Sequence, residues 1–215
     1  MSSLSSLQIH QRDEGGRTLL IFACRVGADR RILEILIDAD VEVGAKDGTG
    51  WTALDYAVRN DRHHAVKILL SRGSEVNARA NDGQTPLHRA CCEGYTHTVE
   101  LLLGHNGIDA NVVNNDGDTP LHVAVRGQRN GVVSLLLNQG SVQFDIKNKK
   151  EMTPLLEAVS LGHLGMTHKL IALGANINAV DGEGNSCLHI TVRTEVFNSE
   201  DAPMDLLNEC CTALI

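Results

Sequence analysis

The chain has 215 residues, 42% hydrophobic but only 3% aromatic, with a formal net charge of −8. That balance argues against a nucleic-acid backbone or an anionic membrane as the main partner, because either calls for a basic surface. No apolar run approaches the roughly 18 residues of a membrane span, and the opening MSSLSSLQIH lacks the basic and long apolar regions of a secretory signal.

Residues 1–8 are a serine-rich lead-in, and from Ile9 the chain repeats itself. A six-residue pattern first appears, weakly, as Thr18-Leu19-Leu20-Ile21-Phe22-Ala23. It returns as Thr52-Ala53-Leu54-Asp55-Tyr56-Ala57 and in full form as Thr85-Pro86-Leu87-His88-Arg89-Ala90 and Thr119-Pro120-Leu121-His122-Val123-Ala124. Two partial copies follow, Thr153-Pro154-Leu155-Leu156-Glu157-Ala158 and Ser186-Cys187-Leu188-His189-Ile190-Thr191. The steps between starts are 34, 33, 34, 34 and 33 residues, and a fixed period of this size marks a stack of repeats.

Each copy opens a helix, with the Thr as N-cap and Pro, where present, in the first turn. A second apolar helix follows: Ile32–Ile37, Ala65–Arg72, Val99–Leu103, Val132–Leu137 and Met166–Leu173. Gly73, Gly107, Gly140 and Gly174 are read as left-handed stops of the second to fifth. The first interhelix turn, 27–31, looks one residue long, and repeats three and four carry one extra residue each within 104–111 and 140–145. Gly131 and Gly165 fall inside predicted second helices, which favours drift over a functional site. In the sixth repeat, Glu195 to Pro203 reads as an overlong turn before a final helix from Met204 to about Ala213, with Ser199 as its cap. Leu206, Leu207 and Leu214 leave that end apolar, so a piece of a larger protein is expected.

The pattern resembles the ankyrin repeat. The resemblance implies an all-α repeat solenoid of six stacked helix-turn-helix repeats with β-hairpin connections, over residues 9–214. The repeats run about 9–46, 47–79, 80–113, 114–147, 148–180 and 181–214. It also implies that His88, His122 and His189 tie hairpins to neighbouring backbone. Ile21, Asp55 and Leu156 stand at the same place, which a catalytic series would not permit. No phosphate-loop, nucleophile-elbow or helical metalloprotease pattern is present. Cys24, Cys91, Cys92, Cys187, Cys210 and Cys211 form no CxxC or zinc-type spacing. No enzyme, cofactor or metal is therefore expected. Reduced thiols point to a cytoplasmic, or nuclear, location. His63, His64 and His105 read as solvated turn residues.

What the resemblance implies for function is an interaction module, monomeric, that binds another protein or peptide along a concave face of hairpin tips and inner helix ends. At the tips stand Glu14, Arg17, Thr49, Trp51, Asn81, Asp82, Gln84, Asn115, Asp116, Asp118, Lys149, Lys150, Met152, Glu183 and Asn185. The helix ends give Arg25, Arg59, Cys92, Arg126, Ser160 and Arg193. The partner-binding set is Arg17, Arg25, Trp51, Arg59, Asp82, Gln84, Asp116, Asp118, Arg126, Lys149, Lys150, Met152 and Arg193. The recurring Arg either pair with neighbouring tip acids or form a row that grips carboxylates or phosphates. Trp51, the one tryptophan, is either an interface anchor or a lid on the first repeat. Alternatives are the recognition arm of a larger enzyme such as a ubiquitin ligase, and a sensor of a small anionic ligand. Asn77, Asn111 and Asn178 sit where ankyrin asparagines are hydroxylated; a plain hairpin-bonding role is preferred.

Overall fold

The protein's structure is a computed structural model that describes residues 9–197, with side chains to residue 193. Among these residues there are paired helices: α1 Leu19–Val26 with α2 Arg30–Asp38, α3 Ala53–Arg59 with α4 His63–Ser71, and α5 Pro86–Glu93 with α6 Thr96–Leu103. α7 Pro120–Arg126 pairs with α8 Asn130–Leu137, and α9 Pro154–Ser160 with α10 Leu164–Ala172; α11 Cys187–Phe197 follows. First helices pack on first helices and second helices on second helices along the chain. The chain is thus an all-α repeat solenoid.

Local chemistry explains the helix ends. The hydroxyls of Thr18, Thr52, Thr85, Thr119 and Thr153 each accept the backbone N–H three residues on, from Ile21, Asp55, His88, His122 and Leu156. That satisfies an amide the helix itself leaves orphaned. Nine residues after each Thr the backbone turns left-handed, at Gly27, Asp61, Gly94, Gln128 and Gly162, which ends the first helix. The second helix then starts eleven residues after the Thr, except in repeat one. There the extra residue delays α2 to Arg30, and Asp29 supplies a side-chain cap by accepting from Ile32 N–H at 3.0 Å.

The core is one continuous column. Leu20, Leu54, Leu87, Leu121 and Leu155, two residues after each Thr, are at most 1% exposed. Ala57, Ala90, Ala124 and Ala158 sit three residues further on and are fully buried, small enough to let first helices approach closely. Leu69, Leu102, Leu136 and Leu170 complete the layer from the second helices. At the start of the column Leu19, Phe22, Val26, Ile32 and Ile35 remain exposed.

The connections are tight turns. Asp47, Ala80, Asn114 and Asn148 each donate their N–H to the carbonyl four residues on. Among the described residues the pairing stops short of strands; one isolated antiparallel bridge joins Val180 and Ser186. The tips are tied to one another by backbone bonds: Gly48 to Gly15, Asn81 to Thr49, Asn115 to Asp82 and Lys149 to Asp116, at 2.9–3.0 Å. Glycine is required at Gly83 and Gly117 for two reasons. Both are left-handed, and a Cβ would come within 2.6–2.8 Å of the next tip's backbone nitrogen. The fifth tip has Glu151 there instead, at φ +58. Its side chain faces Gly182, and no backbone bond joins the fifth and sixth tips among the described residues.

Five expectations change. Gly73 and Gly174 are left-handed stops, but α6 ends at Leu103 with Gly104 as cap, so Gly107 lies beyond the end, and Gly140 is not left-handed. The extra residues form added turns instead, Ile108 N–H to His105 O and Val142 N–H to Gln139 O. α11 continues through residues 195–197, where a turn was expected, because no glycine or proline interrupts it. His63 is half-buried, 3.0 Å from Asp61 and edge-on to His97, and His105 has a buried Nδ1, so neither is a simple solvated residue. The final helix from Met204, and Ser199 as its cap, lie outside the described residues.

Gly165 stands in α10 with open space where a Cβ would go. Gly165→Ala should therefore raise stability by about 0.5–1 kcal/mol in urea unfolding. Gly131→Ala should gain less, because its Cβ would meet the Thr96 methyl at 2.9 Å.

Candidate partner-binding face

The residue before each capping Thr and the residue seven after it share one side of the stack. In the front half this side is built on Trp51, which is half-buried. The Arg89 guanidinium lies 3.7 Å from its ring centroid and Arg59 5.2 Å from it, with the Tyr56 ring at 5.0 Å, tilted by 55°. Arg89 is held by Asp55 at 3.2 Å and Asp82 at 3.4 Å. Tyr56 donates its hydroxyl to Asp47 Oδ2 at 2.8 Å. Burial, then the Asp47 bond, pushes the Tyr56 phenol up. The platform is cation-stacked and fixed from below.

Asp55 replaces the motif histidine and does half of its work. Its Oδ2 accepts from Thr52 N–H and Oγ1, both at 2.8 Å, while Oδ1 takes Arg89. Burial is the largest influence on Asp55 and holds its carboxyl above the ordinary value despite those bonds. In the full motif, His88 Nδ1 accepts from Thr85 N–H and Nε2–H donates to Asp118 O at 2.9 Å. His122 likewise joins Thr119 to Met152 O at 3.0 Å. These histidines bind across to the next repeat's tip. Burial pulls His88 down to about 4 and His122 downward as well.

In the rear half Arg126 donates Nε–H to Glu157 at 2.6 Å and Nη1–H to Asp118 at 2.8 Å. Asn148 also donates to Asp118, at 2.8 Å. The Asp118 bond, and less so the Glu157 one, raises Arg126 further against some burial. Burial opposes charge on Asp118, but the bonds from Arg126 and Asn148 outweigh it and lower its carboxyl. Ligand-type atoms of Asp118, His122 and Glu157 lie within 4.8 Å of one another. Arg126 takes one oxygen of each carboxylate and both ring nitrogens of His122 are bonded; Glu157 Oε2 is buried without a partner among the described residues, but a second cation there would enter against Arg126.

The expected site residues thus divide. Trp51 and Arg59 come together, with Arg25 in the adjacent repeat. Asp118 is buried and internally bonded, so it is structural and no partner can reach it. Arg17 pairs with Asp13 at 2.7 Å and Arg193 with Glu183 at 3.2 Å. Asp82 is exposed and pairs with Arg89; Gln84 and Met152 are half-buried. Asp116, Lys149 and Lys150 are exposed on tips. Arg89 was missed: its place holds Phe22, Tyr56, Val123, Glu157 and Ile190 in other repeats, so no recurrence signals it. The amides of Asn77 and Asn111 each bond both ways across to the next hairpin. Cys24 and Cys91 are buried free thiols pushed up by burial, Cys24 to about 12.

Family models for ankyrin repeats match residues 3–80, 73–148 and 155–200. The chain belongs to the ankyrin repeat family. It is similar to the crystal structure of the ankyrin repeat domain of Bcl-3, of the IkappaB protein family, with TM-score 0.76 and 30% identity over 87% of this chain and 89% of that one. It is also similar to the ankyrin repeat protein EF0377, with TM-score 0.79 and 25% identity over 90% of this chain and 96% of that one. Among curated relatives it is 32% identical over 107 residues to the SMC5-SMC6 complex localization factor protein 1 of Bos taurus, covering 49% of this chain. That stretch is 10% of the relative's length. Ankyrin repeats are in general protein–protein interaction modules. No helix among the described residues is long and apolar enough to cross a membrane.

Proposed function

We propose that this chain is a non-catalytic, monomeric recognition module that holds a segment of another protein on the face lined by its tips and first helices. The observation that carries the reading is the Trp51 platform. A tryptophan carries Arg89 over its ring and the tilted Tyr56 ring beside it, both held by Asp47, Asp55 and Asp82, and is left partly open to solvent. A rigid aromatic flanked by arginine is the composition of interface hot spots. The burial of Cys24 and Cys91 and the internal bonds of His88 and His122 are in keeping with that non-catalytic reading.

The test is a pull-down with the whole chain and two variants, each shown folded by circular dichroism. One is Trp51→Ser/Arg59→Gln; the other is Lys67→Glu on the exposed side of α4. Partners kept by the Lys67 variant and lost by the platform variant are expected. Partners kept by both would move binding off this face.

A further inference from the structure

We propose that the segment held on this face is acidic: its carboxylates bind Arg25 and Arg59 while a neighbouring apolar side chain packs on the open part of Trp51. This rests on the reading above of the face as a partner site.

The charges of the face decide it. In the front half four carboxylates are already engaged: Asp13 with Arg17, Asp47 with Tyr56, and Asp55 and Asp82 with Arg89; of the tip acids there, only Glu14, at the first tip, has no side-chain partner among the described residues. In the rear half Arg126 is taken by Asp118 and Glu157, and Arg193 by Glu183. Arg25 and Arg59 hold the same place in adjacent repeats, are exposed, and have no carboxylate partner among the described residues. Arg59 lies 5.2 Å from the Trp51 ring, and Arg25 stands at the matching place of the repeat before it. Asn60 ties the two repeats here by donating Nδ2–H to Arg25 O at 3.0 Å.

A carboxylate arriving from outside gains the forked hydrogen bonds of a guanidinium without first breaking an internal pair. At Arg126 it would have to displace two. Tip residues Lys149 and Lys150, exposed and unpaired among the described residues, offer further cations toward the rear; Glu14 and Asp116 are the exposed tip acids without a side-chain partner among those residues. Because Asp47 fixes Tyr56 and Arg89 fixes Trp51, the platform pays little ordering entropy when a ligand arrives.

The test selects binders from a displayed library of short random peptides on the immobilised 215-residue chain. Selection is repeated on Arg25→Gln/Arg59→Gln and on Trp51→Ser, all confirmed folded. The expected result is enrichment of Asp and Glu beside an apolar residue. Those peptides should bind Arg25→Gln/Arg59→Gln roughly tenfold or more weakly, and Asn/Gln versions should bind the wild type equally poorly. Peptides that need Trp51 but show no acidic bias overturn the acidic assignment and leave the face standing. Peptides indifferent to both variants, or no peptides at all, overturn both. Saturable quenching of Trp51 by inositol hexakisphosphate, with no acidic peptide recovered, would make the ligand a phosphate and also overturn the proposal.

Discussion

Arg89→Ala is expected to lose about 3 kcal/mol of stability at pH 7 in urea unfolding, far more than a surface arginine, because it strands the Asp55 carboxylate in the core. Asp55 is 0% exposed and Arg89 is its only cationic partner among the described residues. The variant also carries a pH signature. Burial already raises the Asp55 carboxyl in the folded state, and loss of Arg89 raises it further. A carboxyl raised on folding binds its proton more readily folded than unfolded, so its penalty shrinks as pH falls. The gap between wild type and variant should narrow from pH 7 toward pH 4. Asp55→Asn added to Arg89→Ala should recover a large part of the loss at pH 7. A gap that stays constant with pH would mean that the lost Trp51 stacking, not the stranded charge, dominates.

The wild type itself should lose about 3 kcal/mol between pH 6.5 and pH 4 through His88 alone. Its ordinary value is 6.5 and burial pulls it to about 4 in the fold. The unfolded chain therefore binds a proton in that window which the folded chain refuses. The stabilisation is complete above 6.5 and is lost as pH falls through the window. His122 acts with the same sign. Asp55 opposes them in part, while Asp47 and Asp118, both lowered, act only below the ordinary carboxyl value of 3.8. Urea unfolding across this range should show a slope that shrinks in His88→Asn. An unchanged slope in that variant would assign the acid sensitivity elsewhere.

Much of this was legible in the residues because the stack repeats its chemistry. Thr85, His88 and Leu87 recur at one spacing, and capping, cross-repeat bonding and core position follow from it. What recurrence does not carry stayed hidden. Arg89 occupies a place with no preferred residue type, and its pairing with Asp55 depends on one repeat lacking the histidine that its neighbour has. Asp118 looked like a tip acid because tips are usually wet; Asn148, thirty residues on, and Arg126 bury it. Gly140 looked like a stop because Gly73 and Gly174 are; one inserted residue moved the turn. The Arg row was readable as a row, but which members keep a free guanidinium depends on carboxylates that the period does not specify.

The backbone bonds between successive tips have a mechanical consequence. From Gly15 to Lys149 they form an edge that cannot lengthen without breaking amide hydrogen bonds, whereas the second helices opposite are joined by side chains, through packing and a few polar bonds such as Lys169 to Ser134 and Arg72 to Asp38, which yield at lower cost. Bending of the stack must therefore pivot about the tips and open the second-helix side. Along that edge the front five repeats act as a graduated rule of fixed pitch, and a bound segment must conform to it. The sixth tip is spliced on after Glu151 without such a bond among the described residues, so pulling on the chain should part the stack there before the rule itself yields.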